Sequence, residues 1–228
     1  MQLNNISKAK FLERKNRFVG TWLLDWKKIQ FHIWDTGRLQ ELLFPNNEIL
    51  IQKMPVDWRK YPFRLISAKG LQWDFILLNS LLHSALIREY LQKQNISYKP
   101  EVKVGDSKID FYIENQWFVE IKGCSLIKNI NWEFVGMFPD APTTRGQKHL
   151  QELIKLVKQG KQAQIWFLLT NDVNKFKPNI ETDPVFSKLF YEFFNLWGKF
   201  KFLYAKLDYY NNQVKINVKE QKVEILGH

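Results

Sequence analysis

Apolar residues recur along this chain with two different periods, and the change from one to the other outlines the fold. Up to about residue 78 they come in short runs that favour strands: Phe18-Val19-Gly20-Thr21-Trp22-Leu23-Leu24, Ile29-Gln30-Phe31-His32-Ile33-Trp34 and Glu48-Ile49-Leu50-Ile51-Gln52. Turn-forming residues, Asp35-Thr36-Gly37 and Pro45-Asn46-Asn47, separate them. Several short strands with basic residues between them predict a small barrel, for which the oligonucleotide-binding (OB) type is one candidate. From about residue 79 helical and strand patterns alternate. A helix is expected over residues 80–94 and a strand over 98–104. Two acid-bearing strands follow, Lys108-Ile109-Asp110-Phe111-Tyr112-Ile113 and Trp117-Phe118-Val119-Glu120-Ile121-Lys122-Gly123, then a long connection through residues 124–139. Asp140-Ala141-Pro142 opens a second helix, with Leu150, Leu153, Ile154 and Val157 as its buried stripe and Gly160 ending it. Ala163 to Leu169 is a continuous apolar run suited to a covered sheet. Asp183-Pro184 starts a third helix whose stripe of Phe186, Leu189, Phe190, Phe193, Phe194 and Trp197 is assigned to the core. Two last strands fall at residues 200–207 and 213–218. The expected organisation is a barrel over 1–78 and an α/β domain over 79–228.

The second acid-bearing strand carries the most specific chemistry. Side chains two apart share a face, so Glu120 and Lys122 point the same way as Phe118, while Val119 and Ile121 point to the other side. A hairpin through Glu114-Asn115-Gln116 would bring Asp110 close to both. An Asp on one strand and Glu-x-Lys on the next is the arrangement that holds a divalent metal beside a lysine in many nucleases. The competing reading is an antiparallel pair with one wet face. The order helix, three strands, helix, strand is that of the restriction-endonuclease-like fold, and it raises the nuclease reading. On the second helix Arg145, Lys148, His149 and Glu152 form a polar stripe, offset roughly 140° from the apolar one. Such stripes are usually solvated, but two cations and an imidazole near a helix N-terminus suit a phosphate.

Composition narrows the partners. The 228 residues are 45% hydrophobic, enough for a real core, and 34 Lys+Arg against 23 Asp+Glu give a net charge of +11. That balance favours polyanionic partners such as nucleic acid or an anionic membrane surface. No apolar run approaches the ~20 residues of a membrane span, and Met1-Gln2-Leu3-Asn4-Asn5 lacks the apolar stretch of a secretory signal, so a cytoplasmic protein is expected. The single Cys124 excludes an intrachain disulfide and a multi-cysteine zinc site. No Gly-rich phosphate loop or Ser/His/Asp arrangement points to a small-molecule enzyme, which ranks last.

Phe138-Pro139-Asp140-Ala141-Pro142-Thr143-Thr144-Arg145-Gly146-Gln147-Lys148-His149-Leu150 closely resembles the signature of the sugar fermentation stimulation protein A family. Val119-Glu120-Ile121-Lys122 with Leu126, Asp183-Pro184, Arg14-x-Asn16-Arg17-Phe18 and Thr36-Gly37-Arg38-Leu39-x-Glu41-Leu42-Leu43 fit it as well, in order over most of the chain. The resemblance implies an N-terminal OB-like barrel and a C-terminal nuclease-like domain of the PD-(D/E)xK kind, associated with DNA binding and nuclease action on DNA or RNA. It implies metal-assisted phosphodiester hydrolysis, with Asp110, Glu120 and the carbonyl of Ile121 holding Mg²⁺ or Mn²⁺, hard ions that prefer oxygen. Lys122 would orient water or neutralise developing charge, and Arg145 would grip a phosphate bidentately. Glu89 matches the position where related folds often place an extra acid. In the barrel Arg38, Arg59 and Lys60, with aromatics among Trp22, Trp34 and Trp58, would hold single strands, Trp22 being preferred as core. The chain departs from the family in having Ile33-Trp34-Asp35 where relatives carry Cys-Pro-Asn, Thr144 where they carry Glu, and no Pro-Asn near His83 and Ser84. The alternative function is a non-catalytic, sequence-nonspecific DNA-binding protein or regulator linked to sugar metabolism. The oligomeric state is left open.

Overall fold

The structure, a computed structural model, describes residues 1–24, 27–35, 37–55 and 60–227. It divides into two compact units, Met1–Leu82 with Ala205–Asn217, and His83–Tyr204 with Val218–His228. In the first, the short strand β1 (Gln2–Leu3) precedes a barrel of β2 (Ile6–Asn16), β3 (Val19–Leu24), β4 (Lys27–His32), β5 (Glu48–Lys53), β6 (Phe63–Lys69) and β7 (Phe75–Leu77). The strands run in the order β4-β3-β2-β5-β6-β7, and a parallel pairing of β4 with β6 closes the barrel. Alternate residues fill its centre, among them Phe11, Trp22, Phe31, Ile49, Ile51 and Leu65. Trp22 is therefore core, as expected. A Cβ on Gly20 would lie 2.4 Å from the Phe31 ring, so only glycine lets that ring cross the barrel there.

The second unit starts with a single 3-10 turn's successor, α1 (His83–Lys93), followed by β8 (Tyr98–Val104), β9 (Ser107–Ile113) and β10 (Trp117–Cys124). The long connection expected after β10 is instead an antiparallel hairpin, β11 (Leu126–Ile130) and β12 (Glu133–Phe138). Its two-residue turn, Asn131-Trp132, has φ of 51° and 68°, the left-handed pair that matches strand twist. Next come α2 (Thr144–Lys158), β13 (Gln162–Leu169), β14 (Lys175–Pro178), α3 (Pro184–Asn195), β15 (Lys199–Tyr210), β16 (Gln213–Glu220) and β17 (Glu224–Ile225). β9 pairs antiparallel with β8 and β10, while β10, β13 and β15 run parallel. β11, β12, β14 and β17 form a separate small sheet.

α2 and α3 cover one face of the parallel strands. Leu150, Leu153 and Ile154 from α2 and Phe186, Phe190 and Phe193 from α3 pack with Ile165, Phe167 and Phe176. α2 begins later than the Asp140 start expected: Thr143 is its N-cap, and its Oγ1 accepts from the Gly146 N–H at 3.0 Å. Asp183 caps α3 by accepting from the Phe186 N–H at 2.8 Å, and it also accepts from the Thr143 N–H at 2.9 Å and from Gln147. One buried carboxylate thereby fixes the N-termini of both helices, and with them the face of α2 that meets the sheet. Trp197 departs from its expected core placement, because the helix ends at Asn195 and Trp197 is 84% exposed.

Candidate functional site

β9 and β10 are joined by a tight turn and pair from Trp117↔Ile113 to Val119↔Phe111. There the regular ladder ends, and the next inward N–H, that of Ile121, donates to Asp110 Oδ2 at 2.8 Å. The side chain of Asp110 so fills the space a backbone carbonyl would have taken and is held beside Glu120 and Lys122. Lys122 Nζ donates to Glu120 Oε1 at 2.8 Å. The same oxygen meets Nδ1 of His149, brought down onto the sheet by α2. Glu120 Oε2 is enclosed and has no hydrogen-bond partner among the described residues.

The electrostatics follow from this crowding. Burial, with the neighbouring Glu120 charge, pushes Asp110 up to about 6, against the pull of the Ile121 N–H, Lys122 and His149. Burial also works to raise Glu120, but Lys122 and His149 outweigh it and hold that carboxyl below its usual range. The pair is thus one ionised carboxylate and one carboxyl reluctant to ionise beside it. That imbalance, and the unpartnered Oε2, is what a divalent cation would relieve, so the two carboxylates fit such an ion. No group of three or more His, Cys, Asp or Glu placed to hold a metal occurs among the described residues. Mg²⁺ needs only one or two carboxylates when waters and phosphate complete its shell.

The polar stripe of α2 divides in two. Arg145 and Lys148 are exposed, whereas His149 and Glu152 are buried. His149 therefore faces Glu120 and not the surface on which Arg145 and Lys148 lie. Its contact with Glu120 was not readable from spacing, since it depends on how far α2 rolls onto the sheet. Glu89 lies on α1, half-buried, and Lys93 one turn on holds it at 2.7 Å and lowers its carboxyl. None of the hydrogen bonds linking Asp110, Glu120, Lys122 and His149 reaches it. In the barrel, Lys60 lies over the Tyr61 ring at 5.5 Å and borders a cavity of about 370 Å³ lined by His32, Trp34, Tyr61, Phe63 and Arg64. Trp34 is 37% exposed there, and its ring lies 4.2 Å from that of His32. Arg38 is exposed, and its carbonyl accepts from Arg14 at 2.7 Å. Arg59, Trp58 and Thr36 lie outside the described residues.

A closed OB-type barrel followed by an α/β unit of the restriction-endonuclease (RE) kind, with an Asp, a Glu and a Lys at the parting of two strands, defines a two-domain class of nuclease-like proteins. Residues 12–73 match the SfsA N-terminal OB domain, and residues 76–208 match the sugar fermentation stimulation protein RE domain. The chain belongs to the sugar fermentation stimulation protein family. It is 39% identical over 199 residues to a sugar fermentation stimulation protein homolog of Thermosipho melanesiensis, covering 87% of each chain. With the Thermoplasma volcanium homolog it shares 37% identity over 203 residues, 89% of this chain and 88% of that one. Among solved structures it is similar to Pyrococcus furiosus SfsA in complex with Ca²⁺, with a TM-score of 0.82, 28% identity, and coverage of 99% and 98%.

Proposed function

We propose that the chain binds nucleic acid through its backbone, without sequence preference, and that the Asp110-Glu120-Lys122 set hydrolyses phosphodiester bonds with a divalent ion. The observation that carries the hydrolytic reading is the buried carboxylate pair: Glu120 Oε2 lacks a partner among the described residues and Asp110 is held up near 6 by burial and Glu120. Asp110, Glu120 and the Ile121 carbonyl would hold Mg²⁺ or Mn²⁺. The Ca²⁺ in the Pyrococcus furiosus protein supports a divalent ion in this family. Such an ion supplies Lewis-acid polarisation of a phosphoryl oxygen. Lys122 stabilises negative charge developing on the phosphate, and His149 fixes the Glu120 rotamer so that Oε2 stays directed at the site. Arg145, exposed in the first turn of α2, grips a neighbouring phosphate with two N–H donors, assisted by Lys148. Lys60 and Trp34 hold a single strand on the barrel by charge and stacking.

The second reading is a non-catalytic, sequence-nonspecific DNA-binding protein or regulator linked to sugar metabolism. Two observations favour it. Among the described residues no three-ligand metal group exists, and Glu120 Oε1 is already engaged by His149 and Lys122. Both readings include binding, for which the family's OB and RE domains speak, whereas cutting rests on the acid pair and on the Ca²⁺ of the Pyrococcus furiosus protein.

The deciding experiment incubates labelled single-stranded DNA, duplex DNA and RNA with the wild type, Lys122→Ala and Asp110→Ala in Mg²⁺, Mn²⁺ or EDTA. Metal-dependent cutting by the wild type, lost in both variants, is the expected result and names the substrate. Binding by all three with cutting by none gives the second reading.

A further inference from the structure

The second unit carries a cavity of about 570 Å³ at the end of α3, lined by Phe194, Trp197, Lys199, Phe200 and Lys222 among others. Its volume is that of a small-molecule site, ~300–1,000 Å³. Trp197 is 84% exposed and its indole contacts no other aromatic ring among the described residues. In the same cavity lining Phe194 and Phe200 stack with centroids 6.1 Å apart and planes 21° from parallel. Lys199 and Lys222 are exposed and have no acidic partner among the described residues, while Lys201 is neutralised by Glu220 at 2.9 Å.

The backbone at Trp197 makes this exposure more telling. The residue follows the Leu196 C-cap of α3 with φ of 66°, the position where helices ordinarily end on glycine. A tryptophan there adopts a strained conformation and gains no burial for it. An exposed indole that shares a cavity with a stacked ring pair and with two ammonium groups lacking an acidic partner among the described residues is complementary to a base joined to phosphates. The sheet also relates this place to the acid pair: Glu120 pairs with Ile165, and Ile165 with Phe200. Phe200, on the cavity wall, and Glu120 are therefore two strands apart, about 10 Å, on the face of the sheet that α2 and α3 cover.

We propose that this cavity is a second nucleic-acid subsite, in which a base of a single strand stacks on Trp197 while Lys199 and Lys222 take the adjoining phosphates. It rests on the nucleic-acid reading above and adds to it a preference for unpaired strands, since a base must leave its duplex stack to lie on the indole.

The test measures binding of a fluorescent mixed-sequence single-stranded oligonucleotide and its duplex by anisotropy in EDTA, where no cutting occurs. Wild type is compared with Trp197→Gly, Trp197→Phe and the double variant Lys199→Ala/Lys222→Ala, each also melted and sized by gel filtration. Trp197→Gly is expected to weaken single-strand binding roughly 5- to 100-fold, with a smaller effect on the duplex, and to melt no lower than wild type. Trp197→Phe is expected to retain most of the affinity, and the double lysine variant to lose affinity and salt dependence together. A Trp197→Gly protein that binds single strands as tightly as wild type overturns the subsite and leaves the parent reading standing. A lower melting temperature in Trp197→Gly, or a wild-type dimer that it dissociates, also overturns the subsite, in favour of a structural or self-association role. A wild type that binds no nucleic acid at all overturns the parent reading with it.

Discussion

His83 shows what one side chain can reveal about its surroundings. It opens α1, its Nε2 is enclosed with no partner among the described residues, and burial pushes its pKa down to about 4. The folded protein therefore keeps the ring neutral, whereas the unfolded chain protonates it below about 6.5. Below that pH the unfolded state gains a proton that the folded state refuses, so stability is lost as pH falls from about 6.5 towards 4. The loss attributable to His83 is about 3 kcal/mol at most, from ~1.4 kcal/mol per unit. Urea denaturation at pH 7 and pH 4.5 should show His83→Asn losing about 2 kcal/mol less than wild type over that interval. The carboxylates titrate alike in both proteins, so equal losses would show that the ring is not held neutral by the fold.

At the scale of elements, β10 and α1 approach too closely for any side chain between them. A Cβ on Gly123 would lie 2.2 Å from His83 Cε1, so Gly123→Ala should cost about 1–3 kcal/mol and disturb Lys122 beside it. His83→Ala in the same chain should restore part of that loss, with a coupling of about 0.5–3 kcal/mol in a double-mutant cycle. Strict additivity would mean that another neighbour sets the limit. The acid-bearing strands were legible because their alternation places Glu120 and Lys122 on one face whatever else the fold does. The β11–β12 hairpin was not, because its turn uses Asn131-Trp132, and a tryptophan at positive φ is no turn signal. Trp197 was misplaced for a related reason: its spacing continues the α3 stripe, but the helix stops two residues earlier and the left-handed residue after the cap swings the ring outward. His149 fell to the wrong face because α2, pinned at its start by Asp183, buries a wider arc than its apolar stripe announces.

For the molecule as a whole, the net charge of +11 is the feature most directly tied to its partners. Many of the ion pairs, such as Lys108–Glu101 and Lys128–Glu181, are exposed and add little to stability, so the excess of lysine and arginine is poorly explained by folding. On the proposed nucleic-acid reading, this positive excess implies release of counterions from the strand. The affinity for a single-stranded oligonucleotide should then fall linearly on a log–log plot against salt, with a slope of about −0.7 for each phosphate neutralised. Lys60→Ala should reduce the steepness of that slope by about 0.7, because the ammonium bordering the barrel cavity would no longer meet a phosphate. Trp34→Ala, which removes a ring and no charge, should lower affinity at every salt concentration and leave the slope as it was. The two variants thus separate charge from stacking on the same surface. If Lys60→Ala shifted the whole line without changing its slope, Lys60 would act by packing on Tyr61 rather than at a phosphate, and the charge of the barrel would need another explanation.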